Sequence, residues 1–247
     1  MPDAMRDRPY SLARIFRLPL LTLTVAACTL LVQALPSWVD LLEYRRTAVT
    51  GGELYRLLGG HLTHWSWKHL GYDLAAFLIL GVAVERRSRL RWGLCVVGTA
   101  LASSSLLWVL RPEIAAYRGL SAIDSALFAA FAVELAAEAW RSRGSDTSPV
   151  SRLAALALPG LLVAKMLYET VTGTALFAHV GGITVLPELH LLGALVGALA
   201  LGFPPGTSPP IPIERAGRPS DPLGRQAAKK PDALTSLEAQ LPKKQGL

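Results

Sequence analysis

Residues 119–138 read GLSAIDSALFAAFAVELAAE. This run approaches the roughly 20 apolar residues that a helix needs to cross the hydrocarbon core of a membrane. Ser121 lies near its start, and a second apolar run, over residues 188–203, has His190 near its own start. If both runs enter the bilayer from the same face, a nucleophile and a base lie at matching depth. The pair therefore predicts a hydrolytic site inside a membrane.

The composition is that of a membrane protein with several spans. Of the 247 residues, 51% are hydrophobic and only 17% are charged, which excludes an ordinary soluble domain. Six stretches approach the length of a span when tilt or local bilayer thinning is allowed. They cover residues 19–38, 69–84, 92–110, 119–138, 153–171 and 188–203. The sequence therefore predicts an all-α, polytopic membrane domain of six helices over residues 19–203.

Polar segments flank this membrane domain on both sides. Residues 1–18 carry four arginines and are interpreted as a cytoplasmic N-terminal segment. Nine of the 17 prolines lie within residues 204–247, together with four lysines. Such a composition cannot bury enough apolar surface to fold, so it predicts a disordered, basic cytoplasmic tail.

The distribution of Lys and Arg predicts the side of each connection, because cytoplasmic loops accumulate positive charge. Of the 25 Lys and Arg residues, 18 fall in the N-terminal segment, the second and fourth connections and the tail. Both termini are therefore predicted to be cytoplasmic. In that topology helices two, four and six all begin at the outer face, where they carry His69, Ser121 and His190.

The residue types around Ser121 and His190 suit nucleophilic catalysis. A serine hydroxyl attacks once a positioned base takes its proton, and histidine fits that task near neutral pH. Gly119 allows a tight entry into the serine helix. Gly193 and Gly197 follow His190 at i+3 and i+7 on one helical face, which lets a neighbouring helix approach closely. We therefore expect the His190 helix to pack on the Ser121 helix.

Two further polar pairs lie within predicted spans. Asp73 follows His69 by one turn, so the two can share a face, either as a structural pair or as part of the site. An imidazole N–H near Ser121, from one of the histidines His61, His64 and His69, would stabilise the oxyanion of a tetrahedral intermediate. Lys165 and Glu169 are spaced i, i+4 in the fifth span and are expected to neutralise each other.

Three histidines, His61, His64 and His69, raise the question of a metal site. Their spacing lacks the glutamate beside the first of two histidines at i, i+4 that defines the zinc-protease helix, and no cysteine accompanies them. The sequence therefore predicts no metal site.

In this order, the residues resemble the rhomboid family of intramembrane serine proteases over approximately residues 19–203. The stretch 52–56, Gly-Glu-Leu-Tyr-Arg, looks like the family's Gly-Glu-x-Trp-Arg element in the first loop. His64 and His69 match its two spaced histidines entering helix two, and residues 119–122 match its Gly-x-Ser-Gly nucleophile motif. The features of helix six also match, namely His190, Gly193 and Gly197.

The resemblance implies a Ser-His dyad that needs no cofactor. Ser121 becomes the nucleophile and His190 the general base and acid. His69, with the backbone N–H of Ser121, becomes an oxyanion donor. Support of the site is implied for His64, Asp73 and Gly119, and a structural role for Glu53, Arg56, Gly193 and Gly197.

Within the family, residues 165–169, Lys-Met-Leu-Tyr-Glu, resemble the rhombosortase branch. That branch is associated with bacterial cleavage of carboxy-terminal, Gly-Gly-containing membrane anchors on exported proteins. The resemblance implies a multi-pass protein of the bacterial inner membrane whose site opens to the periplasmic side. Its partners would be the lipid bilayer and a transmembrane protein substrate, and not nucleic acid.

Two positions depart from the family pattern. Asp73 stands where the family usually has asparagine, and Ala122 replaces the glycine after the nucleophile. They motivate an alternative function: a catalytically inactive rhomboid-like protein that binds transmembrane segments without cutting them.

Overall fold

The computed structural model describes residues 18–141, 149–174 and 186–203, and this part of the chain is mostly helical. The predicted cytoplasmic segment (apart from residue 18) and the predicted tail, 204–247, lie outside the described residues. A short 3₁₀ turn covers Gly60–Leu62, and a π-helical turn covers Leu94–Gly98. The helices are α1 Leu20–Ala34, α2 Pro36–Leu42, α3 Arg46–Thr50, α4 Arg56–Gly59, α5 Trp67–Arg87, α6 Arg89–Gly93, α7 Thr99–Leu110, α8 Ser121–Arg141, α9 Pro149–Thr172 and α10 Pro187–Ala200.

The first predicted span, 19–38, is wrong as a single helix. The chain breaks between α1 and α2 and bends there by 113°. Pro36 causes the break, since its ring disfavours a helical conformation in the preceding residue, and Leu35 is extended with φ −121° and ψ 96°. Pro36 then occupies the first turn of α2, where its missing N–H is tolerated.

Three helical segments are long and apolar enough to cross a membrane by length and composition: Trp67–Arg87, Arg89–Leu110 and Arg152–Thr172. A fourth results if the bent pair α1–α2 is counted as one span, while α10 is a shorter apolar helix. The second of these spans combines α6, the π-helical turn and α7. Helix α8 has the necessary length, but its charged residues lower its hydropathy: Asp124, Glu134, Glu138 and Arg141.

Helix α8 packs against α5, α9 and α10, and nine of its 21 residues are buried. The alanines between 122 and 132, namely Ala122, Ala126, Ala129, Ala130 and Ala132, are almost fully buried. Small side chains on a central helix let the surrounding helices approach its backbone. Leu120, Ile123 and Leu127, also on this segment, join Phe77 of α5 and Trp92 of α6 in the main apolar core.

A short antiparallel strand pair departs from the all-α prediction. Strand β1, Tyr44–Arg45, pairs with β2, Ala116–Tyr117, with Tyr44 opposite Tyr117. Each strand has two residues, which is too short for sequence periodicity to reveal. The pair joins the first loop to the segment that leads into α8.

Candidate active site

The segment before Ser121 is held by contacts from the first loop and by one hydrogen bond within the segment. The Gly119 N–H donates to the Gly60 carbonyl at 3.3 Å, and the Gly119 carbonyl accepts from the Tyr117 hydroxyl at 3.2 Å. His61 Nδ1 lies 3.1 Å from that same carbonyl. Gly119 has φ +134°, a conformation that L side chains rarely adopt. Ser121 is thereby set at the first position of α8, where helical N–H groups lack intrahelical partners.

Helix α10 approaches the backbone of α8 along its glycine stripe. A Cβ atom built on Gly193 would overlap the carbonyl oxygen of Ala122, and one on Gly197 would overlap that of Ala126. The two helices can pack this closely only because α10 has glycine at these two positions. His190 lies one turn before Gly193 on the same face, so this packing brings its ring to the start of α8.

His190 forms the central contacts of the site. Its Nε2 lies 2.9 Å from Ser121 Oγ, and its Nδ1 lies 2.7 Å from Glu169 Oε2. Lys165 Nζ donates to the same carboxylate oxygen at 2.8 Å. His190 and Glu169 are buried. The serine, the imidazole and the carboxylate are thus hydrogen-bonded in this order. In such an arrangement a base can remove the serine proton while a third group orients the base.

The contact between Glu169 and His190 is the feature that the sequence interpretation missed. Glu169 does pair with Lys165 as the i, i+4 spacing predicts, and it contacts His190 as well. Helical spacing shows that two residues share a face but not what that face meets. One general rule could have pointed to Glu169. An ionisable residue within a membrane span is costly to bury and is therefore a functional candidate.

Asp73 binds three groups at the other side of Ser121. Its Oδ2 accepts from the Leu120 N–H at 3.0 Å and lies 3.2 Å from His64 Nε2 and 3.4 Å from His69 Nε2. His69 Nδ1 is buried and has no hydrogen-bond partner among the described residues. The carboxylate thus fixes the residue before Ser121 and turns the His69 ring so that Nδ1 is left for another ligand.

Glu53 and Arg56 lie away from Ser121, in the first loop. Arg56 is buried and its Nη1 donates to the carbonyls of Asp40 and Glu43, both at 2.9 Å. Glu53 accepts from Arg56 Nε at 2.7 Å. Arg56 therefore satisfies carbonyl groups at and beyond the end of α2 and fixes the start of β1.

His61 is a second residue whose position the sequence does not reveal. Its Nε2 lies 3.2 Å from the carbonyl oxygen of Ala100 and 3.2 Å from Ser104 Oγ. It therefore connects α7 to the carbonyl of Gly119.

Within the described residues, no three His, Cys, Asp or Glu side chains are grouped so as to hold a metal ion.

We expect His61 to make the protein sensitive to acid. Burial lowers the pKa of His61 from 6.5 to about 4. Below pH 6.5 the unfolded chain therefore binds a proton at this residue, whereas the folded chain binds it only near pH 4. The free energy of unfolding should fall by about 3 kcal/mol across that window. Unfolding of wild type and His61→Gln in detergent, followed from pH 8 to pH 4, measures this. Equal pH slopes for the two proteins would contradict the assignment.

Comparison with known proteins identifies the family. A family model described as Rhomboid domain matches residues 51–186. The matched segment contains Ser121, His69, Asp73 and Glu169, and it ends shortly before His190, whose placement depends on the geometry above. A search of curated proteins finds no match to the chain. Because the model covers more than half of the sequence, this multi-pass membrane protein belongs to the rhomboid family, whose members are generally intramembrane serine proteases that act on transmembrane substrates.

Proposed function

We propose that this protein is an intramembrane serine endopeptidase in which Ser121 and His190 form the catalytic dyad. The supporting observation is the 2.9 Å contact between Ser121 Oγ and His190 Nε2. Ser121 attacks the scissile carbonyl while His190 takes its proton, and His190 then returns that proton to the leaving amine. Water that reaches the site from outside releases the acyl-enzyme. The reaction requires no cofactor.

The oxyanion of the tetrahedral intermediate is stabilised by the Ser121 backbone N–H and by His69. Donation from Nδ1 while Nε2 also donates to Asp73 requires a His69 ring that carries both protons. The Asp73 carboxylate beside it supplies the compensating negative charge. Asp73 thus acts through His69 and Leu120 and does not itself face the oxyanion, which reconciles an aspartate at this position with catalysis.

The orientation follows from charge and helix direction. With both termini cytoplasmic and six crossings, the starts of α5, α8 and α10 face the outer side, as the distribution of Lys and Arg favours. In a bacterial inner membrane the site then opens to the periplasm. The rhombosortase-like segment 165–169 supports a substrate with a carboxy-terminal Gly-Gly-containing membrane anchor, cleaved near its outer end.

A serine-directed fluorophosphonate probe tests this function. We expect the folded wild type, in detergent or liposomes, to be labelled on Ser121, because Oγ attacks phosphorus, fluoride leaves and His190 takes the proton. Mass spectrometry of the labelled peptide identifies the residue, and Ser121→Ala is the matched control, since it removes a single oxygen atom. A wild type that stays unlabelled while folded would refute the dyad.

The alternative is a rhomboid protein that binds transmembrane segments without cutting them. One observation favours it. The Leu120 N–H, next to the proposed nucleophile, donates to Asp73 and is therefore not available to a substrate carbonyl. Absence of labelling together with retained capture of a Gly-Gly-anchored reporter segment would support this alternative.

A further inference from the structure

We propose that Glu169 is a positioning residue for the catalytic base: it holds His190 through Nδ1, and Lys165 limits the negative charge that the base experiences. The inference rests on the proposed function and extends the dyad to four connected side chains. Glu169 does not reach the reacting atoms, so its effect passes through His190.

The placement of Glu169 within α9 supports this assignment. Its neighbours Leu167, Tyr168 and Val171 are exposed, as expected for the outward face of a membrane helix, whereas Glu169 is 1% exposed. A carboxylate out of contact with water is costly unless it is paired and hydrogen-bonded. Here the pairing groups are Lys165 on its own helix and His190 on α10.

The chemistry of imidazole explains why this contact matters. A neutral ring has one N–H, and only the nitrogen without a proton can accept one from serine. Donation from Nδ1–H to Glu169 leaves the Nε2 lone pair facing Ser121 Oγ. When the serine proton moves to Nε2, the ring becomes cationic and the carboxylate, still ionised, stabilises it. No proton reaches Glu169.

Lys165 has the opposite effect on the same charge. Its ammonium group and the His190 ring contact the same oxygen, Oε2 of Glu169. The positive charge of Lys165 therefore weakens the stabilisation that the carboxylate gives to the protonated ring. The pair Lys165 and Glu169 therefore determines how strongly the protonated His190 ring is stabilised. Other ionisable groups around this cluster are His69 and Asp73 on α5, Tyr117 before α8, Asp124 on α8, and Glu188, which pairs with Arg111, on α10.

The test measures the fluorophosphonate labelling rate of Ser121 against pH in folded, full-length protein. Labelling of wild type should rise with pH to a plateau, through one midpoint. Glu169→Gln should lower the plateau rate by about 10²- to 10⁴-fold, the upper figure being that of the Asp-to-Asn change in a serine protease triad. It should also move the midpoint to lower pH. Lys165→Met should move the midpoint to higher pH.

Two further variants separate positioning from folding. Glu169→Asp keeps the charge on a shorter side chain, so its plateau rate should lie between those of wild type and Glu169→Gln. Glu85→Gln is the matched control, because Glu85 is also a buried carboxylate that binds a neighbouring helix, through Thr22. It lies about 24 Å along α5 from His69, and its midpoint should equal that of wild type.

The outcomes distinguish this inference from the proposed function. Labelled wild type with opposite midpoint shifts in Glu169→Gln and Lys165→Met supports it. Unshifted midpoints, or shifts in the same direction, overturn it even if both variants label slowly. If Glu169→Gln does not fold, the plateau of Glu169→Asp and the midpoint of Lys165→Met decide. An unlabelled wild type refutes the dyad itself, before any variant is compared.

Discussion

Replacing His190 with alanine is expected to slow cleavage of a transmembrane reporter by about 10⁴-fold or more, because serine proteases lose factors of this size or larger when the base is removed. Without Nε2 at 2.9 Å, the serine proton has no acceptor within hydrogen-bond distance from α10. The measurement is the single-turnover rate in liposomes with an anchored substrate.

Leu191→Ala is the matched control for His190→Ala. Leu191 is the next residue of α10, and its side chain is 62% exposed on the outer surface of the protein. Both variants shorten one side chain on the same helical turn, but only one removes the proposed base. The dyad is wrong if His190→Ala still cuts at a rate comparable to that of Leu191→Ala.

Gly197→Ala is expected to produce the largest structural effect of any single methyl group added to α10. The new Cβ atom would overlap the backbone carbonyl of Ala126, and a backbone carbonyl on a central helix cannot move aside as a side chain can. Overpacking of this kind costs about 1–3 kcal/mol. Displacement of α10 would also carry His190 away from Ser121, so labelling by fluorophosphonate should fall with stability.

Gly160→Ala supplies the comparison for this substitution. Gly160 lies within α9, and a Cβ atom built there meets nothing within 4 Å. The added methyl group should therefore leave labelling unchanged and, because alanine favours a helix over glycine, leave the unfolding temperature equal or higher. If Gly197→Ala is as stable and as readily labelled as Gly160→Ala, the close contact between α10 and α8 is not required.

Apolar length and glycine spacing were enough to predict the helices that carry Ser121 and His190, since burial of one face depends on residues close in sequence. The break at Pro36 was equally local, and the single span 19–38 ignored a residue that cannot continue a helix. The contact of Glu169 with His190 was not predictable in this way. It depends on how α9 is rotated against α10, which is decided by packing across the whole bundle.

The strand pair and the role of His61 escaped prediction for a related reason. Tyr44 and Tyr117 lie in paired strands of only two residues each, so the sequence shows no alternation of apolar and polar residues there. His61 contacts backbone carbonyls of Gly119 and Ala100, and a carbonyl has no signature in the sequence. By contrast, Asp73 beside His69 was visible as a shared face, although its bond to the Leu120 N–H was not.

The bonds from Arg56 to the carbonyls of Asp40 and Glu43 have a consequence for how this loop tolerates change. A carbonyl oxygen is the same at every residue type, so the arginine recognises the path of the chain and not the side chains along it. Substitutions at 40 should be accepted far more readily than an inserted or deleted residue between 43 and 56. At this contact, an engineered or natural variant of this protein must preserve the length of the chain more strictly than the side chain at 40.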